Sequence, residues 1–275
     1  MRFIRRYWVD AIALIAVAIV FLIPFAFIVV TAVKSRPDAA KLDFTLPQQW
    51  RVWDNVHEVL TYRDNMLVTA LKNSLLLTVI SVTVIVLLSA MVGFVAQRRQ
   101  DGWSKAANVL VFSGLIIPPA VVPTIYVLDK IDLFKTLTGL IMVEIAITLP
   151  FGILLTRAFV ANIPREIDEA AIIDGAGSLT LFFKVVLPLL RPVLITLIVT
   201  SSVAIYNDFV NPLYFTPGSD TATVQLTLYN FRNQFDSQWN LLFMDVLLIT
   251  IPPLLMFIFF NRKIVEGITA GAVKG

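Results

Sequence analysis

Six stretches of this chain stay apolar for the roughly 20 residues that a helix needs to cross a bilayer. They fall near 11–33, 71–95, 106–128, 137–159, 185–206 and 241–260. Hydrocarbon offers backbone groups no partner, so each must be a helix, and the alternation of a closed barrel is absent. The expected fold class is an all-α membrane protein with six transmembrane helices. Composition agrees: 58% of the 275 residues are hydrophobic and 15% charged, too apolar for a soluble domain. The first run exceeds the core of a signal peptide and has no small-x-small cleavage site, so it reads as an uncleaved span.

Several function classes fall away early. With no cysteine and one histidine, His57, neither thiolate nor paired-histidine metal motifs can form. The net charge of +3 reflects Lys and Arg gathered in loops rather than a continuous basic face, which excludes nucleic acid as a partner. No phosphate-cradling Gly-x-x-x-x-Gly-Lys-Ser/Thr run occurs, nor any convincing Ser/His dyad, so the chain is expected to be no enzyme and to bind no cofactor. The string Gly175 to Ser178 resembles a nucleophile elbow only superficially, since it lacks the closing glycine.

Flanking charges orient the spans. Arg2, Arg5 and Arg6, then Arg98, Arg99 and Lys105, then Arg157, Arg165 and Lys184, then Arg262, Lys263 and Lys274 all fall on one side. That side is the cytoplasm, and both termini lie there. The loop 34–70 is the one ambiguous connection, its basic residues diluted by Asp38, Asp43, Asp54, Glu58 and Asp64.

Prolines interrupt four of the runs: Pro118, Pro119 and Pro123; Pro150; Pro188 and Pro192; Pro252 and Pro253. A proline removes one helix hydrogen bond, a loss tolerated where a neighbour or a wet cavity rescues the freed carbonyl. Such kinks are expected to bend the bundle around a pathway. Glu144 lies inside the fourth run, where a carboxylate marks either a pathway or a pairing site. Asn207, Asp208 and Asn211 either line a cavity mouth or cap a helix. Lys72 and Asn73 are expected to snorkel at the opening of the second span. Asp245 is expected to favour the dipole at the start of the sixth.

Between the fourth and fifth runs, Pro164 suits a first helical position, and Glu166, Asp168 and Glu169 crowd the turns where negative charge is favoured. Ile167, Ala170, Ala171 and Asp174 share one face. Gly175 and Gly177 offer left-handed caps, and Ser178 can cap a second helix. The segment at about 163–179 is therefore expected to form helix, turn and helix on the cytoplasmic side.

This pattern resembles the EAA loop of binding-protein-dependent ABC importers, whose spacing is met by Glu169, Ala170, Ala171, Gly175, Val185, Leu187 and Pro188. The tail from Asn261 to Gly275, the run from Tyr206 to Leu213, and Gln238 with Trp239 resemble maltose-type permease subunits of the carbohydrate branch. The resemblance implies a type I importer permease. Residues 1–66 would form an N-terminal span and external loop, and 67–275 the transmembrane domain with its cytoplasmic coupling helix. Glu169, Ala170, Ala171, Asp174, Gly175, Leu187 and Pro188 would couple to an ATPase. In the tail, Gly271, Val273, Lys274 and Gly275 would reach the ATPase dimer. Glu144, Asn207 and Asp208 would belong to the pathway. Tyr229, Phe231, Phe235 and Trp239 would face an external binding protein, or form an interfacial belt.

The expected function is ATP-driven import of a sugar, an oligosaccharide or related glycoside, across a bacterial or archaeal inner membrane. The implied partners are a second permease, two ATPase subunits that bind the ATP, an extracytoplasmic binding protein and membrane lipid. A non-sugar solute such as a glycerol phosphate derivative is the alternative, and an ion- or proton-driven carrier a more distant one.

Overall fold

The computed structural model describes residues 2–99, 101–232 and 237–272, and the side chains of these except 2–11, 103 and 260–272. Helices account for most of it. In chain order they are α1 (Arg2–Ala32), α2 (Arg36–Ala39), α3 (Val52–Arg98), α4 (Gly102–Ile116), α5 (Val121–Lys130), α6 (Leu137–Val160) and α7 (Arg165–Ile173). A short α8 (Ser178–Thr180) leads through a π-helical stretch (Leu181–Val186) to α9 (Leu187–Leu189) and α10 (Arg191–Tyr206). Then come α11 (Val210–Phe215), α12 (Val224–Thr227), a 3₁₀ turn (Leu228–Asn230) and α13 (Trp239–Ala272). Among the described residues the one β pairing is an isolated bridge between Arg232 and Ser237.

Four of these helices are long and apolar enough to cross a membrane, and two bent pairs raise the number to six if each pair is one span. The six expected runs thus reappear, but the prolines act unequally. Pro150 sits inside an unbroken α6, and α13 runs through Pro252 and Pro253. The third run is instead broken at residues 117–120, its two helices meeting at 117°, and the fifth bends by 74° around Leu190. Packing explains the difference at Pro150: a Cβ on Gly114 would come within 2.8 Å of its ring, so glycine leaves the hollow that seats it.

The chain divides into two compact units, Met1–Leu71 with Val224–Pro252, and Lys72–Thr223 with Pro253–Gly275. In the first, the core is polar at its centre. Lys34, fully buried, donates to a carboxylate oxygen of Asp43 and to its carbonyl, each at 2.8 Å. Asn55 donates to the carbonyls of Ala32 and Lys34, and Asn240 donates to Asn55. Asp245, expected to serve the helix dipole, is fully buried a turn and a half into α13 and accepts from the Thr227 hydroxyl at 2.8 Å, which ties α12 to that helix.

In the second unit one apolar cluster gathers Leu77, Ile85, Leu140, Val143, Leu197, Ile205 and Phe215. Another gathers Ala90, Val160, Phe182, Val186, Leu190 and Leu194. Asn73 does not snorkel: it is buried and donates to the carbonyls of Asp220 and Ala222, so it pins the loop before α12. Close helix approach is set at Gly93, where a Cβ would meet the Arg157 nitrogen and the Thr156 Cβ at 3.0 Å.

Candidate functional site

The helix α7 begins with Pro164 in an extended conformation (φ −56°, ψ 140°), so proline is its cap rather than its first turn. Glu166 and Asp168 follow in that turn, where the exposed N–H groups favour negative charge. The helix ends in a Schellman turn. Ala176 N–H donates to the Ala171 carbonyl and Gly175 N–H to that of Ile172, both at 2.9 Å, and Gly175 takes φ +83°. Gly177, expected to be a second left-handed residue, is extended (φ −71°, ψ 164°) and caps α8. Ser178 lies inside α8 and makes no side-chain cap.

The expected face splits in two. Ile167 and Ala171 are half-buried, with Ala171 packed on the cluster around Val186 and Leu190, whereas Ala170 and Asp174 are exposed. The residue that anchors the helix is Asp168. It is buried, and one carboxylate oxygen lies 2.6 Å from Arg98 Nε at the end of α3. The same guanidinium donates to the Ile163 carbonyl at 3.1 Å. Beside it, Arg157 of α6 donates to Gln97 at 3.1 Å and to Asn108 of α4. Two arginines thus tie the ends of α3 and α6 to each other and to the middle of α4, and fix α7 to them.

What remains outward is a compact relief. Ile172, Ile173 and Leu179 are 58%, 85% and 71% exposed around the Gly175 turn. Glu166, Glu169 and Asp174 are exposed at its rim, and a Cβ on Gly175 would meet nothing within 4 Å. Apolar side chains this open, ringed by carboxylates on a rigid mount, suit a protein partner. Leu187 packs inward while Pro188 is exposed just after the π-helical stretch. Gly271 lies near the end of α13; Val273, Lys274 and Gly275 lie outside the described residues.

The structure brings the Glu144 and Asp208 carboxyls within hydrogen-bond reach of one another, with Asn211 beside both. Glu144 is buried in α6 and accepts from the Asn211 amide at 3.1 Å. Asp208 accepts from the backbone N–H of Val210 at 2.8 Å, closing the turn that leads into α11, whose N-cap is Phe209. Asn207 donates to the carbonyl of Val203 in its own helix. On the loop before α13, Tyr229 is 65% exposed and Trp239 stacks on Phe243 at 6.1 Å between centroids. Phe231 is buried, its ring 4.8 Å from that of Tyr62, so it supports the loop from within and presents no outward face. Phe235 lies outside the described residues. Among the described residues no three acidic or histidine side chains gather to hold a metal.

Residues 85–268 match the family model described as a binding-protein-dependent transport system inner membrane component. The chain is 27% identical over 281 residues to a melibiose/raffinose/stachyose import permease protein of Bacillus subtilis (strain 168), with all of both chains covered. It is 30% identical over 247 residues to a trehalose transport system permease protein of Mycobacterium tuberculosis (strain CDC 1551 / Oshkosh), covering 87% of this chain and 88% of that one. A chain of a bacterial ABC transporter involved in import of the acidic polysaccharide alginate has the same fold, at TM-score 0.83 and 18% identity over 95% of this chain and 98% of that chain.

Proposed function

The chain belongs to the family of binding-protein-dependent transport system inner membrane components, and on that premise we propose that it is one permease half of an ATP-driven sugar importer. The observation that carries the reading is the mounted relief of α7. A loop that served only to join two spans would need neither a buried ion pair beneath it nor three apolar side chains open above it.

In this reading α7 lies on the cytoplasmic side, and an ATPase subunit grips Glu169, Ala170, Asp174 and the Gly175 turn. Movement of the ATPase passes through Asp168 and Arg98 into α3, and through the packed Ala171 and Leu187 into α10. A second permease supplies the other half of the pathway. An external binding protein meets the loop that bears Tyr229 and leads to Trp239. The cargo is a sugar, in keeping with what the relatives are named for. This chain supplies shape and leverage; its partners bind and hydrolyse ATP.

The test is reconstitution with the cognate ATPase, second permease and binding protein. Binding-protein-stimulated ATP hydrolysis and ATP-dependent sugar uptake are expected together. Uptake that continued after the ATPase subunits were withdrawn would sink the proposal.

A further inference from the structure

Helix α3 contains a stretch that no ordinary helix tolerates. After Tyr62 (ψ 134°), three consecutive residues are left-handed: Arg63 (φ 44°, ψ 61°), Asp64 (φ 55°, ψ 46°) and Asn65 (φ 61°, ψ 36°). None is glycine, and each crowds its Cβ against the following carbonyl oxygen. All three side chains are exposed, so core packing does not force the turn. Strain of this kind persists only where surrounding contacts over-determine it.

The contacts converge on Asn230. Its side-chain oxygen accepts from Arg63 Nη1 at 3.0 Å, and its carbonyl accepts from the Tyr62 hydroxyl at 3.3 Å. Its amide nitrogen lies 3.3 Å from Met66 Sδ. The Tyr62 ring packs on Phe231, and the Arg63 guanidinium lies 5.6 Å from the centre of that Tyr62 ring. The residues on both sides of the left-handed run are thus held by one asparagine. Its chain neighbour is the exposed Tyr229.

We propose that residues 62–65 form a two-state hinge latched by Asn230, and that a protein engaging the Tyr229–Asn230 turn releases it. Released, the backbone relaxes to right-handed helix and 52–61 becomes continuous with 66–71. The identity of the releasing protein as the binding protein rests on the function proposed above. Asn230 is a positioning residue; it touches no cargo in this scheme.

Because the native chain has no cysteine, spin labels can be placed by Trp53→Cys and Val68→Cys in the complete reconstituted assembly. A continuous helix separates these positions by about 22 Å along its axis. The otherwise native chain should give one distance distinct from this. Asn230→Ala and Asn65→Ala should each add a population near the continuous-helix value. Asn65→Gly, which tolerates left-handed backbone, should keep the native distance. The hinge is overturned if both alanine variants leave the distribution unchanged, or if Asn65→Gly behaves like Asn65→Ala. Purified binding protein should shift the labelled assembly toward the new population. If it stimulates ATP hydrolysis without any shift, the latch is overturned as the coupling element. If it stimulates nothing in an assembly without substitutions, the importer reading falls, while the contrast between alanine and glycine still decides the hinge.

Discussion

Arg98 Nε lies 2.6 Å from a carboxylate oxygen of Asp168, and this pair fastens the exposed helix α7 to the end of α3. Both side chains are largely buried, at 14% and 12% exposure, so water screens the pair little. Removing one partner strands the other charge in a poor solvent. Arg98→Ala is expected to cost about 3 kcal/mol, read as a lowered unfolding midpoint in detergent. Asp168→Asn strands the guanidinium in its turn, yet it should cost less, since the amide oxygen can still accept from Arg98. A double-mutant cycle should return a coupling energy well above that of an exposed pair.

Gly175 holds φ +83° with open space around its missing side chain. Gly175→Val should therefore act by backbone strain alone, costing about 1–2 kcal/mol. Co-purification of the ATPase should fall while membrane insertion is kept. Gly175→Asn, which tolerates the left-handed region, should retain more of the ATPase than valine does. Unchanged recovery of ATPase for both would mean that the turn is not gripped.

At Gly93 the problem is space. Gly93→Leu would drive a side chain into the Arg157 backbone and Thr156, and should cost about 1–3 kcal/mol through separation of α3 from α6. Thermal unfolding of the assembled importer measures this. The effect should persist at high salt, whereas exposed ion pairs weaken there.

Hydrogen bonds from the Lys34 ammonium and from Thr45 hold the Asp43 carboxyl down at about 2. A depressed folded value contributes stability above the unfolded value of about 3.9, and that contribution disappears as pH falls toward 2. A spin label at Leu46 should thus report an immobile loop from neutral pH down to about 4, then loosening below it. In Asp43→Asn the loop should be loose at neutral pH and lose that acid transition.

The spans were legible in the sequence because twenty apolar residues admit few fates in a membrane. The turn at Gly175 was legible too, since glycine after Asp174 marks a helix end by local chemistry. Which glycine would be left-handed was not: Gly175 and Gly177 look alike until the Ala176 N–H finds the Ala171 carbonyl. Asp168 reads in sequence as a dipole partner because Arg98 lies far away in the chain, and a pattern within one helix carries no trace of a distant guanidinium. Phe231 looked like its exposed neighbour Tyr229; only the Tyr62 ring decides that one is inside. Prolines mislead for the same reason. Pro150 is absorbed because Gly114 sits opposite, while the two prolines at 118 and 119 have no such seat and end the helix.

That break also bears on how the protein is made. Ile116 and Val122, on either side of it, are 77% and 76% exposed, so the described residues leave the broken third run uncovered there. Lipid alone would leave the carbonyls freed there unanswered, at several kcal/mol each. A newly synthesised copy without neighbours is therefore an orphan with a mark of incompleteness in the bilayer. Cells making this subunit alone should clear it quickly by proteolysis, and co-expression of the second permease should lengthen its lifetime.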